Sequence, residues 1–464
     1  MASFLDNILA NLPEVAPATQ KNVPFKTKLK WTLTILVLFF AMGLIPLFGL
    51  GQNALQQFEY LSLILGAEFG SLMSLGIGPI VTASIVLQLL NGSGIVKFDL
   101  TSREGKMRFQ GIQKLLSIFF ILFEAFIYVF MGGLAPAAEI TGALKLQLDL
   151  LLIFQLFLGG LMVMFMDEVV SKHGFGSGIS LFIAAGVSKS VFVRLLSWLP
   201  SPANPEVPTG ALWQLFLGLR TGDPQLVALM LAAILATIFV FMISIYGQAM
   251  KVEIPLSFGR IRGHGVRWPL SFIYTSNIPV ILVAALLANI QLWGRLLQNW
   301  GHPLLGTFNS QGTPVSGFVS WIQYPNVVEK LIIGNIAWPD IWHGLVYLLF
   351  MIGGAVVFSY FWVQTSGMDA RSQAKQIMSS GLQIPGFRQD PRVMERLLER
   401  YIGPLTVMGA IFVGFIAASA DLIGALSSGT GILLTVMIIY KLYEDIARKH
   451  MFDMHPAMRK FMKF

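Results

Sequence analysis

The sequence predicts an all-α polytopic membrane protein with ten transmembrane helices in two pseudo-symmetric five-helix halves. Three observations carry that class. Of 464 residues, 55% are hydrophobic and only 12% charged, about half the charged share of a soluble domain. So much apolar surface needs lipid as its solvent. Ten windows reach the roughly 20 mostly apolar residues that a spanning helix needs. Two of those windows, far apart in the chain, read alike: GIGPIVTASIVLQLL at 76–90 and NIPVILVAALLANIQL at 277–292. Both are uncharged, carry a proline near the start of an apolar helix, and close on Leu87-Gln88-Leu89 or Ile290-Gln291-Leu292. Paired interrupted helices in matching positions of two halves mark a duplicated membrane protein with a central pathway.

The windows are 31–50, 71–90, 115–134, 147–166, 178–198, 225–250, 270–294, 341–363, 402–420 and 422–440, the last two joined by a turn at Ala420 and Asp421. They divide the chain into an N-terminal segment (1–30), a first half (31–198), an external hinge loop (199–224), a second half (225–447) and a C-terminal tail (448–464). Ten crossings leave both termini on one side. With that side inside, 26 of the 32 Lys and Arg fall on inside segments, so the positive-inside rule makes both termini cytoplasmic. The inside loops 251–268 and 364–401 are long and basic. The outside segments 198–224 and 295–340 are rich in Pro, Gly and Asn.

Residues 1–29 hold Asp6 and Glu14 rather than a basic start before a short apolar run, so no secretory signal is expected. FLDNILANL (4–12) reads as a short amphipathic helix on the membrane surface or as a capping segment. Residues 55–70, LQQFEYLSLILGAEFG, are too short and too charged to cross a bilayer and too apolar for a free loop. They read as a re-entrant half-helix surrounded by protein or water, or as an interfacial helix.

Chemistry is limited by what is missing. The chain has no cysteine, which removes disulfides, thiol catalysis and Cys-ligated metals. Its six histidines are scattered, so no metal is expected. No triad order, paired carboxylates or nucleotide loop occurs; GFGSG at 174–178 lacks the lysine of a phosphate loop. That stretch reads as a tight bend whose Ser177 caps the fifth spanning helix. No catalysis and no cofactor are expected.

Four ordered stretches resemble the SecY family, the central subunit of the protein-conducting channel: 76–90, GFGSGISLFIAAG at 174–186, YTSNIPVILVAALLANIQLWG at 274–294, and GTGILLTVMIIYKLYE at 429–444. FKTKLKWT at 25–32 and DEVVSKHG at 167–174 look like the archaeal branch. The resemblance implies two halves closing like a clamshell around an hourglass pore, with a re-entrant plug helix. It assigns a waist of aliphatic side chains to Ile77, Val81, Ile85, Ile179, Ile183, Ile281 and Leu434. The spacing is coherent, since 77, 81 and 85, like 179 and 183, share a helix face. Taken alone, such a stripe is ordinary membrane-helix packing; as a ring it dewets and blocks ions while yielding to an unfolded chain.

The resemblance also makes 55–70 a plug, with Phe58, Glu59, Leu63, Leu65 and Glu68. It places Thr82, Glu124 and Asn277 at a lateral gate between the halves; the rival reading is helix-packing hydrogen bonds. Ribosome docking falls on Arg260 and Arg262 in SFGRIRGHGVRW (257–268) and Arg388 in QIPGFRQDPR (383–392), where basic loops alternatively meet anionic lipid headgroups. The implied partners are SecE-like and SecG- or beta-type small subunits, the ribosome, signal sequences and nascent chains, and membrane lipid. The expected function is passage of unfolded secretory chains and lateral release of apolar helices from the cell membrane. A secondary transporter explains the repeat equally well, but it needs polar ligands where the broken helices carry Ile, Val and Leu. A purely structural scaffold leaves the plug-like segment and basic loops unexplained.

Overall fold

A computed structural model describes residues 11–17, 23–51, 70–92, 95–96, 98, 102–130, 134–136, 140, 142–199, 207–258, 265–276, 278–299, 301–309, 313–379, 381–384 and 390–454. Ten long helices occupy the places of the ten windows. In the first half they are α1 (Phe25–Gly43), α2 (Gly78–Gly92), α3 (Arg103–Phe130), α4 (Ala143–His173) and α5 (Gly178–Leu196). A shorter α6 (Ala211–Thr221) follows. The second half holds α7 (Pro224–Ala249), α8 (Ile278–Asn299), α11 (Trp338–Thr365), α13 (Pro391–Ile423) and α14 (Gly429–Met454). Seven of the ten, α3, α4, α5, α7, α8, α11 and α13, are long and apolar enough by themselves to cross a membrane. α2 is short, while α1 carries Lys26, Lys28 and Lys30 near its start and α14 carries Lys441, Glu444 and Asp445 midway along it.

Several boundaries differ from the sequence reading for identifiable reasons. α1 starts at Phe25 because its three lysines are helix formers that continue the apolar run below it. α2 starts seven residues later than its window: 70–77 is a string of turns, with Gly70 and Gly76 at φ 84° and 54°, a left-handed backbone that glycine adopts without strain. Pro79 and Pro279 both fall on the second residue of their helices, where a missing N–H costs nothing. They therefore start α2 and α8 rather than kink them. The turn between the last two spans is at 424–428, not at Ala420–Asp421. Asp421 is buried within α13, where it accepts from the Gly429 N–H at 2.5 Å and the Tyr347 hydroxyl at 2.7 Å. That carboxylate caps α14 from the preceding helix.

The inter-span segments are also more ordered than a loop reading expects. α6 lies inside the hinge segment, ended by Gly222 at φ 72°. After α8 come a small ladder of β3 (Thr307–Phe308) and β4 (Pro314–Ser316), then α9 (Phe318–Trp321) and α10 (Val327–Ile333). After α7 the chain forms a β-hairpin, β1 (Lys251–Phe258) against β2 (Gly265–Ser271), with Ile254 opposite Trp268 and Leu256 opposite Val266. β5 (Leu382–Gln383) adds a third strand. Ile254, Leu256 and Leu270 pack against Ala374 and Ile377 of α12 (Ala370–Ser379) and Met394 and Leu398 of α13. A small α/β unit thus crowns one end of the helical bundle, called the hairpin end below.

Close helix approach depends on glycine at α4, where a Cβ on Gly159 would sit 1.9 Å from the Leu72 carbonyl oxygen. The bend at 174–178 is fixed from two sides. Thr32 Oγ1 accepts the Phe175 N–H at 3.1 Å, and the α5 N-terminus is capped from α4, Ile179 N donating to Asp167 Oδ1 at 2.9 Å. The expected cap by Ser177 is absent; its hydroxyl turns to Asp167. A carboxylate is the better acceptor for helix-terminal donors.

Candidate functional site: a cavity at the seam of the two halves

Four helices, two from each half, bring the aliphatic positions together. Ile77, immediately before α2, Ile183 of α5 and Leu434 of α14 are buried in one apolar cluster, with Val81, Ile179 and Ile281 packed against it. Five of these, Ile77, Val81, Ile183, Ile281 and Leu434, line a cavity of about 60 Å³. That is room for about two water molecules. Ile179 is in the cluster but does not line the cavity. Ile85, one turn further along α2, packs instead with the cluster of the second half, built on α7, α8, α11, α13 and α14.

The same cavity has a polar wall. Thr82 of α2 and Glu124 of α3 are hydrogen-bonded to each other and both line it. Both belong to the first half, so this bond lies within a half. Across the seam the cavity is lined by Asn289 of α8, whose Nδ2 donates to Ala285 O at 2.9 Å. Sequence reasoning passed over Asn289; the expected Asn277 lies outside the described residues. Its signal was available: Asn289 is the sole strongly polar side chain between Asn277 and Gln291 in an otherwise apolar helix. Two turns of helix from Ile281, it shares that residue's face.

The rest of the seam is apolar and aromatic. Ala288 and Leu292 of α8 pack with Ile121, Ala125 and Tyr128 of α3, and Phe123 meets Trp293 with ring centroids 6.3 Å apart. α2 and α3 are joined a second time by Gln113 Nε2 donating to Ser84 Oγ. The seam therefore sets a polar-tied pair of helices against a mostly apolar one, an interface that dispersion and burial hold without a cross-seam ion pair among the described residues.

The candidate plug residues Phe58, Glu59, Leu63, Leu65 and Glu68 lie outside the described residues, as do Arg260, Arg262 and Arg388. The described chain enters the two basic segments from one small sheet: β1 ends at Phe258, paired with Leu382, and Ser257 pairs with Gln383 of β5.

A helical membrane protein of two halves that share an aliphatic cluster and a small cavity is, by fold and site, of the class of polytopic channels and transporters. Comparison with known proteins makes the class specific. The SecY family model matches residues 71–443, and the chain belongs to the SecY family. It is 46% identical to the protein translocase subunit SecY of Methanothermobacter thermautotrophicus over 97% of this chain and 96% of that one. Identity to the Methanocaldococcus jannaschii subunit is 44%, over 98% of each. Among solved structures, one described as "The structure of a protein conducting channel" superposes with a TM-score of 0.83 at 43% identity, covering 99% of this chain and all of that one. A structure concerning "The plug domain of the SecY protein" and the closed channel gives 0.81 at 43% identity, again over 99% and 100%. "Sec61 in the Canine ribosome-channel complex from the endoplasmic reticulum" gives 0.80 at 42% over the same shares.

Proposed function

We propose that this chain is the pore-forming subunit of a protein translocase of the cell membrane. It passes unfolded secretory polypeptides across and releases apolar helices sideways into lipid. The observation that carries the reading is the cavity at the seam. Aliphatic side chains from α2's lead-in, α5, α8 and α14 converge on it, while Thr82, Glu124 and Asn289 share its wall. A constriction of branched aliphatics offers neither ions nor peptide groups a hydrogen bond, so it resists ions by dewetting and yields to a chain that pushes it open.

Both termini and the hairpin end are cytoplasmic in this reading, in line with the basic residues on those segments. Residues 55–70 serve as the plug, supported by the family's closed-channel relative. Arg260, Arg262 and Arg388 dock a ribosome through phosphate contacts that salt weakens, supported by the ribosome-bound relative. Small SecE-like and SecG- or beta-type subunits brace the two halves from outside. Thr82, Glu124 and Asn289, with Asn277 at the entry of α8, form the polar part of the lateral gate.

Site-specific photocrosslinking tests the reading. A photoreactive residue at Ile281 is compared with one at Leu235, which is exposed on α7, in membranes holding a ribosome-stalled secretory chain. A crosslink to the nascent chain from 281 and not from 235 is expected. Bound ribosomes with no crosslink from 281 would return the ring to ordinary packing.

A further inference from the structure

We propose that residues 11–17 are a latch that positions α3 at the seam, an inference that rests on the seam being where the channel gates. The segment lies across the hairpin-end turns of α3 and α4 and is gripped mainly by its backbone. Lys114 Nζ of α3 donates to Pro13 O at 2.6 Å. Lys172 Nζ of α4 donates to Val15 O at 2.5 Å and to Glu14 Oε1 at 2.6 Å. The Val15 N–H donates to Glu168 Oε2 at 3.2 Å, and His173 Nε2 lies 3.1 Å from Ala16 O. Glu168 closes the network by pairing with Lys114 at 3.1 Å and Lys172 at 3.3 Å. Two ammonium groups and one largely buried carboxylate therefore join two helices and a strap, in charge-assisted bonds stronger than neutral ones.

Beneath the strap α3 and α4 are only partly packed: Ile118 of α3 meets the cluster holding Val163, Met164 and Val170 of α4, and a cleft stands beside that contact. A cleft of about 870 Å³ lies along them, lined by Glu104, Arg108 and Ser117 of α3, Met164 of α4 and Ile80 of α2. Side chains lining such a cleft lose protein dispersion partners on that side. Along the cleft the strap network adds a tie where packing is incomplete. α3 is one uninterrupted helix from Arg103 to Phe130, so Lys114 and Glu124 sit ten residues apart on it, about 15 Å along the axis. A displacement at the strapped end is carried to Glu124 and Tyr128 at the seam rather than absorbed. α2 moves with it through the Gln113–Ser84 bond. Lys114, Glu168 and Lys172 act on the gate through α3 and are positioning residues.

The chain lacks cysteine, so pairs of introduced cysteines carry nitroxide labels without background. One pair at Leu122 and Leu286, exposed on α3 and α8, reports seam width. A second at Met107 and Met162, exposed on α3 and α4, reports the strapped end. In the full chain in lipid, Lys172→Met is expected to add a longer-distance population at both pairs. Export of a secretory chain with a weakened signal should rise about two- to fivefold, the population change that losing one ion pair produces. Lys172→Arg, which keeps charge and donors, should behave as wild type. Deletion of residues 1–17, which leaves every spanning helix intact, should reproduce Lys172→Met. Widening at α3–α4 with an unchanged α3–α8 distance, or no change at either pair, would overturn the latch. A wider seam with unaltered export in every variant would keep the latch and remove the transport reading.

Discussion

Leu433 and Leu434 offer a matched pair for testing the ring. They are adjacent on α14, chemically identical and almost equally buried, at 1% and 6% exposure. Leu434 lines the seam cavity; Leu433 faces the core of the second half. Truncation to alanine removes three carbons from each, a transfer loss of about 2.4 kcal/mol at ~0.8 kcal/mol per methylene. At Leu433 the void stays dry inside an apolar cluster, and the cavity penalty raises the cost toward the upper part of the roughly 2–5 kcal/mol range for such substitutions. At Leu434 the void merges with a cavity that already has room for about two waters and polar groups to hold them. It therefore hydrates, and its stability cost stays near the transfer value alone. The functional consequence runs the other way. A wetted constriction conducts, so Leu434→Ala should raise resting ion conductance in reconstituted bilayers while Leu433→Ala leaves it at wild-type level and lowers Tm more. Equal leak from both variants, or from neither, would refute the assignment of Leu434 to the pathway and leave it as packing.

Three further outcomes follow from the same geometry. Asn289→Leu replaces the cross-seam polar side chain with one that buries apolar surface in the closed seam, about 1–2 kcal/mol in favour of closure; export of chains with marginal signals should fall roughly tenfold in a pulse-chase assay, with strong signals spared. Asp421→Ala leaves the Gly429 N–H and the Tyr347 hydroxyl without their acceptor inside the bundle, at about 1–3 kcal/mol each. Tyr347→Phe should cost only one such bond, so thermal unfolding in detergent should rank wild type, then Tyr347→Phe, then Asp421→Ala. At the strap, the hydrogen bond and charge of Lys172 hold the Glu14 carboxyl below its ordinary value of 4.5. A group depressed in the folded state contributes stability above its free value and loses it as pH falls through the folded one. The Glu14 share of strap docking, read as the difference in protease access to residues 11–17 between wild type and Glu14→Gln, should be constant well above pH 4.5 and shrink as pH falls below about 4.5.

The class of fold was legible because lipid imposes a one-dimensional rule. Twenty apolar residues must form a helix when no water can satisfy the backbone, and hydropathy reads that length without any knowledge of neighbours. Aliphatic positions four apart on α2's lead-in and α5 were legible for the same reason, since the helix period puts them on one face. Their meeting with Ile281 and Leu434 was not, because the contact is between residues from about a hundred to more than three hundred positions apart and depends on how four helices cross. Where a helix begins was decided by local backbone chemistry that hydropathy ignores: Gly70 and Gly76 at positive φ hold off α2, and Asp421 carries α13 past the expected turn by capping the next helix. The hairpin of β1 and β2 was hidden because its strands are short, amphipathic and stabilised by α12 and α13, which follow more than a hundred residues later. Finding Asn289 likewise needed the cavity. A lone amide in an apolar helix is visible to anyone counting residues, but only the packing of α3 against α8 brings Asn289 to the wall shared with Thr82 and Glu124. Composition and periodicity determined that this chain lives in a membrane as two sets of five helices; the crossing of those helices decided which side chains face one another, because burial in lipid constrains length and face but not partner.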